Sequence, residues 1–512
     1  MHFLGLDIGT SSTKALVCDE LGRIVADASV PHPIAQPQSG WSEQDPADWW
    51  RSTVQAIRTV LQMPAVRTEE IVSVGLSGQM HGSVLLGADA APSGGRSDVL
   101  RPAILWNDQR TAGQCAAIES ALGGRSAMVE AVANAALPGF TLPKLLWVRE
   151  HEPDVWNRTR TVLLPKDFIG FRLTGVLATD VGDASGTLLF DVDRREWSPP
   201  MLDRFGIDAD LLPPVFESAR RIGTVSPWAA EQTGLRAAIP VAAGSGDNMT
   251  AAVGAGVAAP GLVLGVLGTS GVIYAHVNQP RKDLADPNAP GRLHTMAAAT
   301  GPAGWCVTGC MLSAAGALDW CRRAIAPTSS FDELLGEAEA APPGCEGLVF
   351  LPYLTGERCP YPDPVARGGW IGLTSRHTRG HLVRAVVEGV TFGMAQILDL
   401  ARSLGIAVDA VRVNGGGNRS AFWRQLQADV YRCPIETTTT EDGGSALGAA
   451  ILGAVAVGAF PSVAAACQHM IATNDAMAAE DSPDPRLRRA AEVYRSLYAE
   501  LAPSFPSLAA IS

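Results

Sequence analysis

The sequence lacks several signatures that would place it in a common class of nucleotide-binding or metal-binding protein. No G-x-x-x-x-G-K-[ST] segment occurs, which excludes a P-loop phosphate site. No C-x-x-C pair or zinc-finger spacing occurs either, so the nine cysteines are expected to be reduced thiols, many of them buried as small apolar residues. The N-terminal segment reaches an acidic residue, Asp7, too early for a secretory signal. Together these absences predict a cytoplasmic protein.

Positive charge and uninterrupted apolar runs are also scarce. The chain has 40 Lys and Arg against 52 Asp and Glu, a formal net charge of -12, which argues against a nucleic acid or an anionic membrane as partner. Residues 251–268 are almost wholly apolar, but Pro260 and several glycines interrupt them, and the run is shorter than the ~20 residues of a membrane-spanning helix. An anionic ligand would therefore need a local binding site, because the overall charge repels it.

Apolar segments of strand type and of helix type alternate along the chain. With 512 residues, 47% of them hydrophobic, more than one buried core is expected. Strands are predicted at residues 3–6, 15–18, 71–76, 102–106, 239–242 and 411–413. Helices are predicted to begin near Asp45, Ser420 and Asp442, and a last amphipathic helix follows a linker at residues 480–485. This alternation predicts an α/β protein.

Two similar hairpins suggest an internal duplication. Gly9-Thr10-Ser11 lies between two short apolar strands, and Gly268-Thr269-Ser270 lies between two others near the middle of the chain. The repeated pattern favours two related domains with a boundary near residue 245. We therefore predict an N-terminal domain at residues 1–245, a C-terminal domain at 246–480, and a linker with a packing helix at 481–512.

Both hairpins have the chemistry of a phosphate site. A turn with hydroxyl side chains and glycine can surround phosphate oxygens with N–H and O–H donors, which makes Thr10 and Thr269 candidates. Asp7, at the end of the first strand, could hold Mg²⁺ through water, because that ion usually takes one or two carboxylates plus phosphate oxygens. The alternative is that both turns are ordinary tight hairpins and that Asp7 is a turn former.

Three further strand ends carry polar or glycine-rich segments. Asp247 follows a buried strand and two glycines, so it could accept a proton from a hydroxyl, or it could simply cap the next helix. Met80-His81 follows the strand at 71–76 in a similar position. Gly415 and Gly416 precede a helix and would allow close approach of a nucleotide, or could form a plain strand-to-helix turn. In open α/β sheets, ligands bind at such carboxyl ends of strands.

Taken together, these segments resemble the FGGY carbohydrate kinases over nearly the whole chain. Two long family signatures are similar to residues 140–147 and 368–388, and the first phosphate motif is similar to residues 4–10. Four shorter segments resemble family members that phosphorylate xylulose: residues 41–46, 78–82, 105–110 and 164–167. Glycerol kinases carry Arg-Glu where this chain has Met80-His81.

The resemblance implies a duplicated actin-like (ribonuclease-H-like) ATPase fold, with two domains around a cleft that holds ATP and Mg²⁺. It implies phosphorylation of D-xylulose to D-xylulose 5-phosphate, with Asp247 as general base and Asp7 at the metal. The residues implied to line the sugar site are Met80, His81, Trp106, Phe140, Asp247 and Asn248. Those implied to bind the nucleotide are Thr10, Lys14, Thr269, Gly415, Gly416 and Ser420.

Some alternatives stay open at the level of sequence. The acceptor could be another pentulose or a polyol, such as ribulose or arabitol, because a few hydrogen bonds to hydroxyls decide sugar specificity. A non-catalytic sugar or nucleotide sensor on the same fold is the alternative from a different class, and a homodimer is compatible with the resemblance. Ala315 and Asp319 stand where glycerol kinases have Gly and Gln near the nucleotide, and Ser420 replaces a family Asn.

Overall fold

A computed structural model describes residues 1–91, 98–440 and 443–511, and the chain forms two compact units. Unit 1 contains Met1–Ala259, His276–Cys306 and Thr440–Ala472. Unit 2 contains Pro260–Ala275, Val307–Thr439 and Thr473–Ser512. Asp442, where a helix was expected to open, and Ser512 lie outside the described residues. The domain boundaries at residues 245 and 480 stay a prediction.

The described chain alternates strands and helices as expected. The strands are β1 His2–Ile8, β2 Ser12–Asp19, β3 Ile24–Pro31, β4 Glu43–Gln44, β5 Ile71–Gly78, β6 Val84–Leu86, β7 Ala103–Ile104, β8 Thr161–Leu163, β9 Thr179–Asp180, β10 Phe190–Asp191, β11 Glu196–Trp197, β12 Val215–Phe216, β13 Arg221–Thr224, β14 Pro240–Ala242, β15 Ser245–Gly246, β16 Gly261–Leu267, β17 Gly271–Val277, β18 His294–Ala297, β19 Trp305–Met311, β20 Val349–Leu351, β21 Gly369–Ile371, β22 Val408–Asn414 and β23 Ile435–Glu436. The helices are α1 Pro46–Leu61, α2 Ala112–Leu122, α3 Arg125–Val132, α4 Thr141–His151, α5 Pro153–Arg158, α6 Pro165–Thr174, α7 Val181–Ser185, α8 Pro199–Phe205, α9 Pro227–Thr233, α10 Asp247–Gly254, α11 Ala315–Ile325, α12 Phe331–Ala340, α13 Arg379–Ser403, α14 Ala421–Tyr431, α15 Gly444–Ala456, α16 Val463–Met470, α17 Pro485–Leu501 and α18 Phe505–Ala509.

The main sheet of unit 1 has the strand order β13-β14-β5-β1-β2-β3, and β15 also pairs with β5. The hairpin predicted around Gly9-Thr10-Ser11 is confirmed, because β1 pairs antiparallel with β2, and β2 also pairs antiparallel with β3. On the other side of β1, strand β5 pairs parallel with β1, β14 and β15, while the edge strand β13 is antiparallel to β14. The carboxyl ends of β1, β5 and β15 therefore meet at one edge of the sheet.

In unit 2 the neighbouring strands β19-β17-β16-β22-β23 repeat part of this topology. β16 pairs antiparallel with β17 and parallel with β22, just as β1 pairs with β2 and β5. In both hairpin turns the glycine N–H donates to a backbone carbonyl within the turn, three residues on in the first and two residues on in the second. Gly9 N–H donates to the carbonyl of Ser12 at 3.0 Å, and Gly268 N–H donates to that of Ser270 at 3.1 Å. The predicted duplication is confirmed.

The core of unit 1 is built by close approach of helix α15 to the sheet. α15 is apolar on all sides, and most of its residues are buried, as expected for a helix packed against strands. A Cβ atom on Gly5 of β1 or on Gly75 of β5 would overlap a backbone carbonyl of α15, so both strands need glycine there. This contact fixes β1 and β5, the two strands that carry the candidate site.

Two further expectations concern apolar residues. The apolar run at residues 251–268 forms the end of α10, a turn and strand β16. Within the ranges that the structure describes, no helix is long and apolar enough to cross a membrane. All nine cysteines are thiols outside any disulfide, and each of them except Cys310 is buried.

Candidate active site

The candidate site of unit 1 lies at the carboxyl ends of the three parallel strands β1, β5 and β15. Their registers align Asp7 with Ser77 and Ser77 with Ser245. The chain leaving β1 forms the turn with Thr10, and the chain leaving β5 runs into Met80-His81. The chain leaving β15 enters α10 at Asp247. Parallel pairing thus brings three of the predicted strand-end motifs to one edge.

Asp7 is a partly buried carboxylate held by a hydroxyl. Its Oδ1 accepts a hydrogen bond of 2.7 Å from Ser77 Oγ. Lys14 is paired with Asp7 across β1 and β2, which places both side chains on one face of the sheet. Burial raises the pKa of Asp7, while the Ser77 hydrogen bond and the Lys14 charge act to lower it. Lys14 Nζ also lies 3.3 Å from Asp27 Oδ2.

Asp247 is the first residue of α10 and does not cap it. The N-cap position is Gly246, with no side-chain cap, so the alternative that Asp247 serves as a helix cap is wrong. Burial and the nearby negative charge of Asp7 raise the pKa of Asp247 to about 7. A carboxyl with this pKa is half ionised near neutral pH, where a general base works best.

Two hydroxyls connect the Asp7 carboxyl to the first turn of α10. Ser77 Oγ lies 2.7 Å from Thr250 Oγ1, one turn after Asp247 in α10. Ser77 donates to Asp7, and the Thr250 hydroxyl also donates to the backbone carbonyls of Gly246 and Asp247, at 3.2 and 3.1 Å. Ser445 of α15 adds a bond of 3.0 Å to the backbone carbonyl of Asp247. The start of α10 is therefore anchored to both β5 and α15.

Met80-His81 follows β5 in a backbone conformation that side chains rarely adopt. His81 has a φ of 68°, and a residue with a side chain is held there only when its surroundings fix it. The His81 carbonyl accepts bonds from Lys144 Nζ at 2.8 Å and Thr141 Oγ1 at 3.2 Å. Its ring Nδ1 lies 3.1 Å from the carbonyl oxygen of Gly186. These contacts fix the ring of His81 at the strand end.

Aromatic and amide groups complete this side of the site. Phe140 packs edge-on against His81, with ring centroids 4.6 Å apart, and against His294 at 5.3 Å. Asn248 Nδ2 donates to Met80 Sδ at 3.7 Å. Five residues predicted to line the sugar site are thus neighbours in unit 1, as a shared pocket requires: Met80, His81, Phe140, Asp247 and Asn248.

Trp106 connects this group to the first hydroxyl turn. Its indole Nε1 donates to Thr10 Oγ1 at 3.0 Å, so a residue expected at the sugar contacts a residue expected at the phosphates. The predicted strand around Trp106 is short, since β7 covers only Ala103–Ile104. Trp106 therefore lies in the segment after the strand, as expected for a strand-end motif.

A buried charge cluster that the sequence did not reveal supports the strand before Asp247. Lys166 Nζ lies 2.5 Å from Asp167 Oδ1, 3.0 Å from Asp180 Oδ1 and 3.4 Å from Asp183 Oδ2. Asp180 Oδ2 in turn accepts a bond of 2.7 Å from Ser245 Oγ on β15. The three carboxyl groups raise the pKa of Lys166 against the effect of its burial, so the lysine stays charged.

Asp183 is the most unusual member of this cluster. Neither of its carboxyl oxygens has a hydrogen-bond partner among the described residues, and both are buried. Its Oδ1 faces Gly246, the residue before Asp247. Burial and the neighbouring carboxylates raise its pKa well above the usual value, which favours the neutral acid. Sequence spacing alone gave no signal, because the partners come from α6, β9 and α7.

Unit 2 carries the remaining predicted residues at the equivalent edge of its own sheet. Thr269 follows β16 and Gly415-Gly416 follows β22, and these two strands are parallel neighbours. Gly415 has a φ of 98°, and a Cβ atom there would lie 2.7 Å from the Leu267 carbonyl oxygen. A Cβ atom on Gly416 would meet no atom within 4 Å, so this part of the loop is open.

Ser420 has a structural role at the start of the next helix. It is the N-cap of α14, and its Oγ accepts a bond of 3.2 Å from Trp423 N–H. The predicted helix start is confirmed, and the hydroxyl is already engaged.

Comparison with known proteins assigns the chain to a family. Residues 2–254 match the model of the N-terminal domain of the FGGY family of carbohydrate kinases, and residues 263–457 match that of its C-terminal domain. The chain belongs to the FGGY family of carbohydrate kinases. The resemblance found in the motifs and the duplicated actin-like fold that it implied are both confirmed.

Individual relatives extend over the whole chain. A xylulose kinase of Bacillus subtilis is 37% identical over 97% of this chain and 96% of its own length. A ligand-bound xylulose kinase from Lactobacillus acidophilus has a TM-score of 0.90 and 25% identity, covering 99% of each chain. A gluconate kinase from the same organism has a TM-score of 0.91, also with 25% identity and 99% coverage of each. Similarity of fold is thus shared by kinases named for different acceptors.

Replacing Lys144 with Met tests whether this buried lysine fixes His81. The change removes the donors to the carbonyls of His81 and Gly139, at 2.8 and 2.7 Å, and leaves both without that partner. An unsatisfied buried carbonyl costs roughly 1–3 kcal/mol, and the His81 carbonyl keeps only the longer bond from Thr141, so we expect His81 to shift and KM for the acceptor sugar to rise about tenfold or more. Steady-state kinetics with the acceptor varied at saturating ATP measure this.

Lys282→Met, which removes a lysine paired with Asp193 at 2.9 Å, is the control and should leave both KM values unchanged. An unchanged acceptor KM in the Lys144→Met enzyme would show that His81 is held by its other contacts.

Proposed function

We propose that this chain transfers the γ-phosphoryl group of ATP to the O5 hydroxyl of D-xylulose, giving D-xylulose 5-phosphate and ADP. The observation that carries the proposal is Asp247, a carboxyl with a pKa of about 7 at the strand edge that also holds Met80-His81. The 37% identity to the Bacillus subtilis xylulose kinase over nearly the full length supports the choice of sugar.

In this mechanism Asp247 accepts the proton of the attacking hydroxyl. The ionised carboxylate orients the O5–H group and takes its proton as the new bond to phosphorus forms and the bond to the leaving ADP oxygen breaks. Phosphoryl transfer has a loose transition state, so catalysis depends mostly on positioning and charge stabilisation. The anchoring of α10 through Thr250 and Ser445 keeps Asp247 in place for this step.

Five neighbouring side chains are proposed to form the wall of the acceptor site. Met80, Phe140 and the indole ring of Trp106 supply apolar surface, while His81 and Asn248 can direct polar atoms at sugar hydroxyls. A site that hydrogen-bonds hydroxyls discriminates strongly against analogues that leave those groups unpaired. Specificity for the ketopentose would therefore come from these polar atoms.

The nucleotide is proposed to bind at Thr10, Lys14, Thr269, Gly415 and Gly416, with Ser420 shaping the glycine loop through its cap. The residues around Asp7 fit a magnesium ion, because Asp7 and Asp247 repel each other and Lys14 offsets only part of that negative charge. Mg²⁺ bound with ATP would neutralise charge on the phosphates, and Asp7 would hold it. The nine free thiols suit a reducing compartment, so we place the enzyme in the cytoplasm.

A coupled assay of ADP release with a panel of acceptors tests the proposed reaction. We expect strong turnover of D-xylulose with Mg²⁺ and ATP, and kcat/KM at least about tenfold lower for D-ribulose, D-arabitol, xylitol, gluconate and glycerol, because each presents a different set of hydroxyls to the same donors. Gluconate is included because a gluconate kinase shares the fold.

Preference for D-ribulose, D-arabitol or gluconate would keep the kinase and overturn the choice of sugar. Absence of turnover on the whole panel, with nucleotide binding intact, would favour the non-catalytic sensor.

Replacing Asp247 with Asn tests the general base. Loss of a general base costs about 10²–10⁴-fold in rate, and we expect a fall in kcat of that size with sugar binding retained. In the wild-type enzyme kcat/KM should fall as pH decreases through about 7, because protonated Asp247 cannot accept the proton.

The thermal stabilities of the wild-type and Asp247→Asn enzymes should also differ more as pH rises. The pKa of Asp247 is raised from 3.8 to about 7 by folding, so stability due to its neutral form is lost as pH rises through that range. The asparagine side chain of the Asp247→Asn enzyme does not ionise, so this variant should gain thermal stability relative to wild type as pH rises.

The matched control is Glu357→Gln, which removes a buried carboxyl of unit 2 whose pKa is also about 7. This variant should keep the decline in rate near pH 7. Near-normal kcat in the Asp247→Asn enzyme would contradict the mechanism.

A further inference from the structure

The turn at Thr10 is held by Trp106 and by two glutamines that the proposed reaction has not used. Gln44 Nε2 donates to the Thr10 carbonyl at 2.7 Å, and Trp106 Nε1 donates to Thr10 Oγ1 at 3.0 Å. Gln79 Nε2 lies 3.5 Å from the Gly9 carbonyl. Both glutamines are almost completely buried, at 2% and 1% exposure, so water cannot replace these bonds at low cost.

The orientation of the Gln44 amide follows from its neighbours. Its Oε1 accepts a bond of 3.0 Å from Trp49 Nε1, and an indole N–H can only donate. The opposite end of the amide must therefore be the NH₂ group, and this end faces the Thr10 carbonyl. The same NH₂ lies 3.1 Å from the Pro33 carbonyl, and His32 N–H donates to the Ser11 carbonyl at 3.0 Å.

Gln79 extends the network to the acceptor side. Its Nε2 donates to Gln44 Oε1 at 2.7 Å, and its backbone N–H donates to the Ile8 carbonyl at 2.8 Å. Gln79 directly precedes Met80-His81 in the chain. The residues that follow β5 and the turn that follows β1 are thus joined by side-chain amides as well as by strand pairing.

We propose that Gln44 is a positioning residue for phosphate binding, which with Gln79 and Trp106 fixes the Thr10 turn to the wall of the acceptor site. The inference rests on the proposed kinase function, in which Thr10 contacts the phosphates of ATP. Gln44 itself contacts neither substrate. Its hydrogen bond holds the Thr10 carbonyl toward the protein interior. The hydroxyl and N–H groups of the turn are then already in place for phosphate and need not rearrange when it binds.

The proposal gives a role to the segment at residues 41–46, which the sequence identified only by resemblance. The other members of that segment have structural contacts. Trp41 covers the guanidinium of Arg110 at 3.6 Å, and Asp45 caps α1 through the Ala47 N–H. Gln44 is the member that reaches the phosphate turn.

Two variants separate this role from simple stabilisation. Gln44→Ala removes the whole amide, whereas Gln44→Glu keeps the acceptor for Trp49 and Gln79 but turns a second oxygen toward the Thr10 carbonyl. Isothermal titration without sugar measures binding of AMP-PNP, a triphosphate analogue, and of AMP. We expect both variants to bind AMP-PNP about tenfold or more weakly, with AMP affinity changed less than about twofold.

Steady-state kinetics provide the second readout. KM for ATP should rise in both variants while KM for D-xylulose stays within about twofold of wild type. Asn134→Ala is the control, because it removes another fully buried amide of unit 1 that donates to the Val132 and Thr295 carbonyls. It should lower thermal stability without changing the ratio of AMP-PNP to AMP affinity.

Equal loss of AMP and AMP-PNP affinity, or no loss of either, would overturn the proposal. If Gln44→Ala fails to fold, Trp106→Phe removes one donor to Thr10 while keeping an aromatic ring, and the same selective loss of AMP-PNP affinity is expected. Because the titration contains no sugar, its outcome is independent of which acceptor the enzyme uses. A wild-type enzyme that binds AMP-PNP but does not phosphorylate D-xylulose would refute only the proposed reaction.

Discussion

The parallel pairing of β5 with β1 and β15 is the constraint on which the site depends. It places Asp7 and Asp247 at the same edge of one sheet, with Ser77 and Thr250 between them. Burial at this edge, and next the negative charge of Asp7, raise the pKa of Asp247 to about 7. The strand order therefore determines the basicity of the proposed catalytic group.

Two lysine side chains are buried in unit 1 near this edge of the sheet. Lys166 lies among three carboxyl groups behind β15 and stays charged. Burial instead lowers the pKa of Lys144 well below its usual value, which favours the neutral amine, and its Nζ donates to the carbonyls of His81 and Gly139. Buried ions are retained only with several partners, because desolvation otherwise costs several kcal/mol per ion. Both lysines lie near the strand ends that carry His81 and Asp247. Burying these lysines costs free energy, and their contacts hold these two residues in place.

Much of this arrangement could be predicted from local pattern. The hairpins around Thr10 and Thr269 predicted the duplicated sheets, because glycine and hydroxyl residues between short apolar runs specify that turn. Lys166 and Asp183 could not be paired in this way, since their partners are set by tertiary packing of α6, β9 and α7. The local sequence also allowed Asp247 to be the N-cap of the helix. The structure excludes this role, because Gly246 occupies the N-cap position. The contact of Gln44 with Thr10 joins positions far apart in sequence, so no spacing rule could reveal it.

The most direct test is a crystal structure of the enzyme with D-xylulose and AMP-PNP bound. The sugar should lie against Met80, His81 and Trp106, with its O5 hydroxyl within about 3 Å of an Asp247 carboxyl oxygen, the reach of a general base. A sugar bound at this edge with a different hydroxyl facing Asp247, or a sugar bound elsewhere in the protein, would contradict the proposed site and mechanism.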